Sequence, residues 1–421
     1  MDYFVFFPKI FFISIILFLF PWMLIASQVH IEKLSFGYRL MVDSQPYFVK
    51  GVCYSPSKVG ESFDQGTIRD WTTIDDDGDG QIDAAYQSWV DINKNNQKDP
   101  EEVQVGDFKL LQQMGCNTIR IYHHASSRAE VQNILKESMN ANYYNHPPNK
   151  ILLRDLYKTC KIRVAMGDFL GAYCVGSGAA WDEGTDYRNP TQCKNMLRSV
   201  EDMVQEYKNE PYLLLWIIGN ENNYSEWTKT NADQYPVDYA KFVDKIAQRI
   251  HQMDPNHPVS ICIGETKMLK ILAEYAPHVD IFGVNSYRNP GFGDLWDEVN
   301  KIYDRPVLLT EFGVAHPKVE NNILDEDDQV QKHLAAWKDI ENHAAGKMFP
   351  GNSIGGFVYS WLDDWWQDGE PSWQNTNPNG SGWNHEWNGI ASQGDGKNSL
   401  FLRQLRKIYF SYQSLWTQKF K

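Results

Sequence analysis

The sequence predicts a single (β/α)8 barrel. Short apolar runs recur along it, each followed by polar or glycine-containing residues and then by a segment of helical period, and there are eight of them. Eight such units over about 370 residues suit a closed barrel with long loops, since a doubly wound open sheet more often stops at five or six strands. The runs are residues 48–54, 118–122, 163–166, 213–218, 259–263, 281–284, 307–309 and 356–360. The helical segments are 107–114, 129–139, 192–208, 237–253, 267–275, 294–303, 327–343 and 399–412. Ahead of the first strand, the alternation of Val29, Ile31 and Leu34, then Leu40 and Val42, reads as a hairpin over residues 28–47 that covers the barrel floor. No linker separates it, so residues 28–421 form one domain.

Composition narrows the function. With 42% hydrophobic and 22% charged residues in 421, the chain can bury a sizeable core. Its formal charge of -14 and lack of a long basic run argue against a nucleic-acid partner. Fifteen Trp and 22 Tyr supply flat side chains with polar handles, which suit ring-shaped ligands such as sugars.

The first 27 residues stand outside the fold. Residues 10–25 are apolar except for Ser14, follow Lys9 and run into Ala26 and Ser27, as in an export signal. A single-pass anchor is the alternative, because residues 4–25 come close to the ~20 needed to span a bilayer; the short apolar stretch favours the signal. Either way the sequence places the domain outside the cytoplasm, secreted, periplasmic or at the cell surface, with membrane contact only through an uncleaved N-terminus. Of the six cysteines, Cys174 and Cys193 flank a glycine-rich loop and are the pair expected to bridge. Cys53, Cys116 and Cys262 lie in apolar stretches that suit buried thiols.

In such a barrel, chemistry sits at the C-terminal strand ends. There the fourth strand, LLLWIIGNEN, delivers Glu221 after Asn220, and the seventh, PVLLTEFG, delivers Glu311. A carboxylate closing an apolar run costs several kcal/mol unless a partner or a function accounts for it. Two facing carboxylates are what glycoside cleavage requires, one protonated to donate to the leaving oxygen and one ionised to meet the oxocarbenium ion.

These residues resemble the retaining glycosidases of glycoside hydrolase clan A, over residues 28–421. Asn220-Glu221 and Glu311 match that clan's acid/base and nucleophile positions. Arg120 in NTIRIYHH, Asn285 and Tyr287 in FGVNSYR, and Trp361 in FVYSW match further positions of its families 2 and 5. KGVCYSP and LLQQMGCNTIRIYH are most similar to the family 2 catalytic domain. The resemblance implies β-glycoside hydrolysis by double displacement, Glu221 as acid/base and Glu311 as nucleophile, with no cofactor for catalysis and an oligo- or polysaccharide as substrate. Arg120 and Tyr287 would hold Glu311 ionised, and Asn220 would contact the sugar 2-hydroxyl. Family 2 enzymes usually carry β-sandwich domains before the barrel, where this sequence has residues 28–47. A lone barrel also resembles β-glucan-remodelling transglycosylases, and a silent glycan-binding barrel is a third reading.

Two loops stand out. Residues 361–394 carry Trp361, Trp365, Trp366, Trp373, Trp383 and Trp387 among Asp, Asn and Gly, without helical or strand spacing. Stacking platforms for pyranose rings are the expected use of Trp361, Trp365, Trp366 and Trp373, against a self-packed cluster. Residues 70–105 form an acidic insertion. Asp75, Asp77, Asp79 and Asp83, with Gly80, match calcium-loop positions 1, 3, 5, 9 and 6, with Tyr86 at position 12. Asp91, Asn93, Asn95, Asp99 and Glu102 repeat the spacing, with Asn96 where glycine is wanted. Structural Ca2+ is expected here, against a merely solvated loop. His123-His124 is too little for zinc.

Overall fold

The computed structural model describes residues 1, 27–125, 147–376 and 384–418. The apolar N-terminal segment, the helix expected over 129–139, and Trp383 lie outside the described residues. Among those described, no helix is long and apolar enough to cross a membrane.

All eight anticipated strands form. They are β1 (Val49–Cys53), β2 (Thr118–Ile121), β3 (Arg163–Asp168), β4 (Leu213–Ile218), β5 (Val259–Ile261, resumed as Ile263–Gly264), β6 (Phe282–Asn285), β7 (Val307–Phe312) and β8 (Ser353–Val358). Every residue in them is buried, which is why they read as continuous apolar runs rather than alternating ones. Neighbours pair in parallel, and the circle closes through β8 against β1, where Gly355 sits opposite Val49 and Val358 opposite Val52. Leu215, Ile217, Leu308 and Phe357 fill the barrel interior. The outer core lies between the strands and the helices α1 (Asp107–Met114), α2 (Lys150–Asp155), α3 (Pro190–Tyr207), α4 (Pro236–Met253), α5 (Leu269–Tyr275), α6 (Leu295–Ile302), α7 (Glu326–Asn342) and α8 (Lys407–Trp416).

Residues 28–47 form three antiparallel strands, Val29–Leu34, Gly37–Val42 and Gln45–Tyr47. They sit at the N-terminal ends of the barrel strands. Val29 donates its amide to the Asn256 carbonyl before β5, and Tyr38 donates to the Gly351 carbonyl before β8.

Two expectations need correction. The helix anticipated over 399–412 is instead a strand, Leu402–Leu405, followed by α8. That strand pairs in parallel with Trp89–Val90 of the first-loop insertion, and Arg403, fully buried, donates to both carboxylate oxygens of Asp107 at 2.8 and 3.1 Å. Tertiary pairing has overridden local period. Cys174 and Cys193 remain free thiols. Each is engaged elsewhere, Cys174 Sγ with the Ala180 carbonyl at 3.6 Å and Cys193 Sγ with the Tyr187 carbonyl at 3.1 Å. The helix that precedes β3 among the described residues is α2, extended by a π-helical turn, Leu156–Cys160, which the sequence did not signal.

Candidate active site

The register of β6 against β7 places Asn285 opposite Glu311, and β1 against β2 places Cys53 opposite Arg120. Arg120 is 1% exposed and Glu311 7%. Arg120 Nη1 donates to Glu311 Oε1 at 3.1 Å and to the Thr310 carbonyl at 2.8 Å, while Nη2 donates to Asn220 Oδ1 at 2.8 Å. Tyr287 donates its hydroxyl to Glu311 Oε2 at 2.7 Å. Tyr122 donates to Oε1, also at 2.7 Å, with the Arg120 guanidinium 4.1 Å from its ring centre. Three donors therefore converge on one carboxylate, an arrangement that fixes its rotamer. Tyr122, one residue past the end of β2 and two after Arg120, is not signalled by the sequence.

Glu221 is presented differently. After β4 the chain turns through Gly219, whose φ of +82° suits glycine, and Glu221 itself adopts φ 55°. Asn222 holds this turn, accepting the Asn220 amide at 2.8 Å and donating to the Tyr187 hydroxyl at 2.7 Å. The Glu221 amide donates to the Cys262 carbonyl, at the break in β5. A side-chain hydrogen bond with Asn285 holds the Glu221 carboxyl down, but less strongly than its surroundings push it up. Burial first, and the negative charge of Glu311 second, push it up to about 8. One carboxyl is thus protonated at neutral pH beside another held as an acceptor.

Both line a cavity of about 1400 Å3 over the C-terminal strand ends. Asn220, Asn285 and Tyr287 line it too, as does Trp366, whose ring meets Phe63 edge-on at 4.7 Å. Trp361 does not. It is 1% exposed, packs beside Tyr409 in the outer core, and donates its amide to the Cys53 carbonyl. The aromatic side chain that leaves β8 facing the cavity is Tyr359, which donates to Asp364 at 2.8 Å. Trp365 is buried against the Gly396 turn, and Trp373 is exposed and donates to Asn375 at 3.0 Å; neither lines the cavity. Trp227, Tyr224 and Tyr173 do line it, although no spacing marked them in the sequence. Burial raises Asp364, another wall residue, to about 7.

In the acidic insertion, Asp75, Asp77 and Asp83 bring carboxylate oxygens within 4.8 Å of one another. Asp79 instead accepts from Gln81 and Gln87. In the second loop, Asp99 accepts from the amides of Asn93 and Asn95, Glu102 from the backbone of Ile92 and Asp99, and Asp91 from Asn95 and Asn96. None of these residues lines the cavity.

Comparison with known proteins agrees with this architecture. The family model "Glycosyl hydrolases family 2, TIM barrel domain" matches residues 96–366. The β-glucuronidase of Chlorocebus aethiops is 21% identical over 225 residues, 50% of this chain and 27% of that protein. The β-D-glucuronidase of Dictyoglomus thermophilum superposes with a TM-score of 0.54 at 15% identity, covering 93% of this chain and 54% of that one. A galacturonate-bound β-galacturonidase of Eisenbergiella tayi gives 0.53 at 14%, covering 93% and 54%. The chain thus spans about a quarter of that curated relative and about half of those two structures, which share its fold. On the family match, the chain belongs to the glycosyl hydrolases of family 2 and carries their TIM-barrel domain.

Proposed function

We propose that this protein is a retaining β-glycosidase that hydrolyses a β-linked glycan outside the cytoplasm. The carrying observation is the unequal state of its two carboxyls. Glu311, with Arg120, Tyr122 and Tyr287 donating to it, is set up to attack the anomeric carbon and form a glycosyl-enzyme. Glu221 carries a proton at neutral pH and gives it to the departing oxygen. Once Glu311 is esterified its charge is gone, Glu221 becomes more acidic, and it takes a proton from the incoming water. This chemistry needs no cofactor. The cavity exceeds the roughly 300–1000 Å3 that encloses a drug-sized ligand, which supports an oligosaccharide substrate. The export-like segment at residues 10–25 supports the location.

The named relatives act on uronides, yet the wall favours a neutral sugar here. Asp64, Glu265, Glu311 and Asp368 line the cavity, against Arg288 as the one Arg or Lys among its described lining residues. Arg288 is already paired with Glu265 at 2.6 Å and Asp294 at 3.0 Å. A further carboxylate on the substrate would add like charge without a partner. Assay of aryl β-glycosides with Glu311→Ala plus azide tests the reading. A rescued glycosyl azide of inverted configuration is the expected product, and preference for neutral glycosides over glucuronides the expected profile. Rescue by azide only in Glu221→Ala would reverse the two roles.

A further inference from the structure

The first loop holds a second concentration of carboxylates, separate from the cavity lining. Asp75, Asp77 and Asp83 stand within 4.8 Å of one another, and the neighbouring cations do not serve them. Lys58 and Arg69 both pair with Asp76 instead, at 3.2 and 2.6 Å. Asp83 is fully buried. Its Oδ2 accepts the Asp76 amide at 3.0 Å, but its Oδ1 has no hydrogen-bond partner. A buried carboxylate oxygen without a donor, next to two further carboxylates, is a costly arrangement for a loop to fold around. Something positive is missing from the balance.

The backbone around these side chains is already arranged. Asp75 accepts the amides of Asp79 at 3.1 Å and Gly80 at 2.9 Å, Asp77 accepts that of Asp79, and Asp79 that of Gln81. Gly80 takes φ 87° at the sharp turn. The available donors are all oxygens, which selects a hard cation, and an irregular set of loop carboxylates suits Ca2+ better than Mg2+, which demands a tight octahedron. The second loop repeats the same backbone bonds with Asp91, Asn93 and Asn95 as acceptors. Side-chain amides serve both loops, Gln87 donating to Asp77 and Asp79 and Gln404 to Asp91; what sets the second apart is that none of its carboxylates leaves a buried oxygen without a donor, as Asp83 does.

We propose that the first loop binds one Ca2+ through Asp75, Asp77 and Asp83, and that the second loop binds none. The ion's effect reaches the sugar cavity. Asp76 is tied through Arg69 to Glu61 at 2.6 Å, and the segment so anchored puts Ser57, Phe63, Asp64 and Ile68 in the cavity wall, with Phe63 against Trp366. Calcium therefore fixes one wall of the substrate cleft without entering the chemistry.

The test is calorimetric titration of the EDTA-treated, dialysed full chain with CaCl2, together with its Tm and with KM for an oligosaccharide. One equivalent of Ca2+ should bind, raising Tm and lowering KM with little change in kcat. MgCl2 at the same concentration should leave Tm unmoved. Asp83→Asn and the exposed Asp77→Asn should each lose binding, while Glu102→Gln should still bind one equivalent. Absence of binding, two equivalents, loss of binding in Glu102→Gln, or an equal response to MgCl2 would overturn the proposal.

Discussion

Tyr287 and Glu311 are joined by a 2.7 Å hydrogen bond from the phenol to Oε2, the oxygen that Arg120 and Tyr122 leave open. A hydrogen bond to a charged group contributes about 1.5–3 kcal/mol. Tyr287→Phe should therefore lower kcat/KM by roughly 10- to 150-fold without moving Tm appreciably. Tyr122→Phe, removing the donor to Oε1, should fall in the same range. An unchanged kcat/KM in both would show that the phenols do not assist the nucleophile.

The pH dependence follows from Glu221. A carboxyl whose folded value is raised to about 8 is protonated below that pH and loses its proton as pH rises through it. For a substrate with a poor leaving group, kcat/KM should fall above pH about 8, because the acid needed for departure is gone. Glu311→Gln should move the Glu221 titration down, since one of its causes is the Glu311 charge, yet leave it above the ordinary carboxylate range, since burial is the larger cause. Carbon NMR of labelled glutamate reads this directly. A titration that does not move would detach the two carboxyls from one another.

The tryptophans separate by position. Trp366→Ala and Trp227→Ala, at the cavity wall, should weaken turnover of long oligosaccharides more than of aryl monosaccharides. Trp361→Ala should do the reverse. It opens a hole in the outer core and should cost about 3–5 kcal/mol of stability, with the surviving folded protein keeping its substrate preference. Thermal unfolding and kinetics on the two substrate lengths distinguish the outcomes. Equal damage to both lengths from Trp366→Ala would remove it from the binding surface.

Much of this was legible before any coordinates. Strands buried on both faces must be apolar throughout, so β4 and β7 announce themselves, and a glutamate at the end of each stands out against that background. Side-chain direction at strand ends was harder. Tyr359 and Trp361 both lie beyond the end of β8 at Val358, where strand alternation no longer sets side-chain direction, so the sequence points to Trp361 where the cavity residue is Tyr359. Leu402–Leu405 was hidden for another reason. Its strand character comes from Trp89–Val90 far earlier in the chain, a partner that no local window contains. Trp227 lies in a single helical turn, Ser225–Thr228, with Tyr224 just before it, a stretch too short for a period to show.

The pairing of β8 with β1 governs how the chain comes to exist at all. Bringing Val49 to Gly355 closes a loop of some three hundred residues, an entropic cost on the order of 5 kcal/mol, about 1 kcal/mol more than that of a nearer pair such as β1 with β2. On a ribosome adding 5–20 residues each second, β1 waits roughly 15 to 60 s after its own synthesis before β8 has been made. Throughout that interval one edge of β1, apolar and hydrogen-bonding, has no native partner within reach. The nascent barrel is a sheet with an open seam, and its hazard in the cell is association with another chain before the seam shuts.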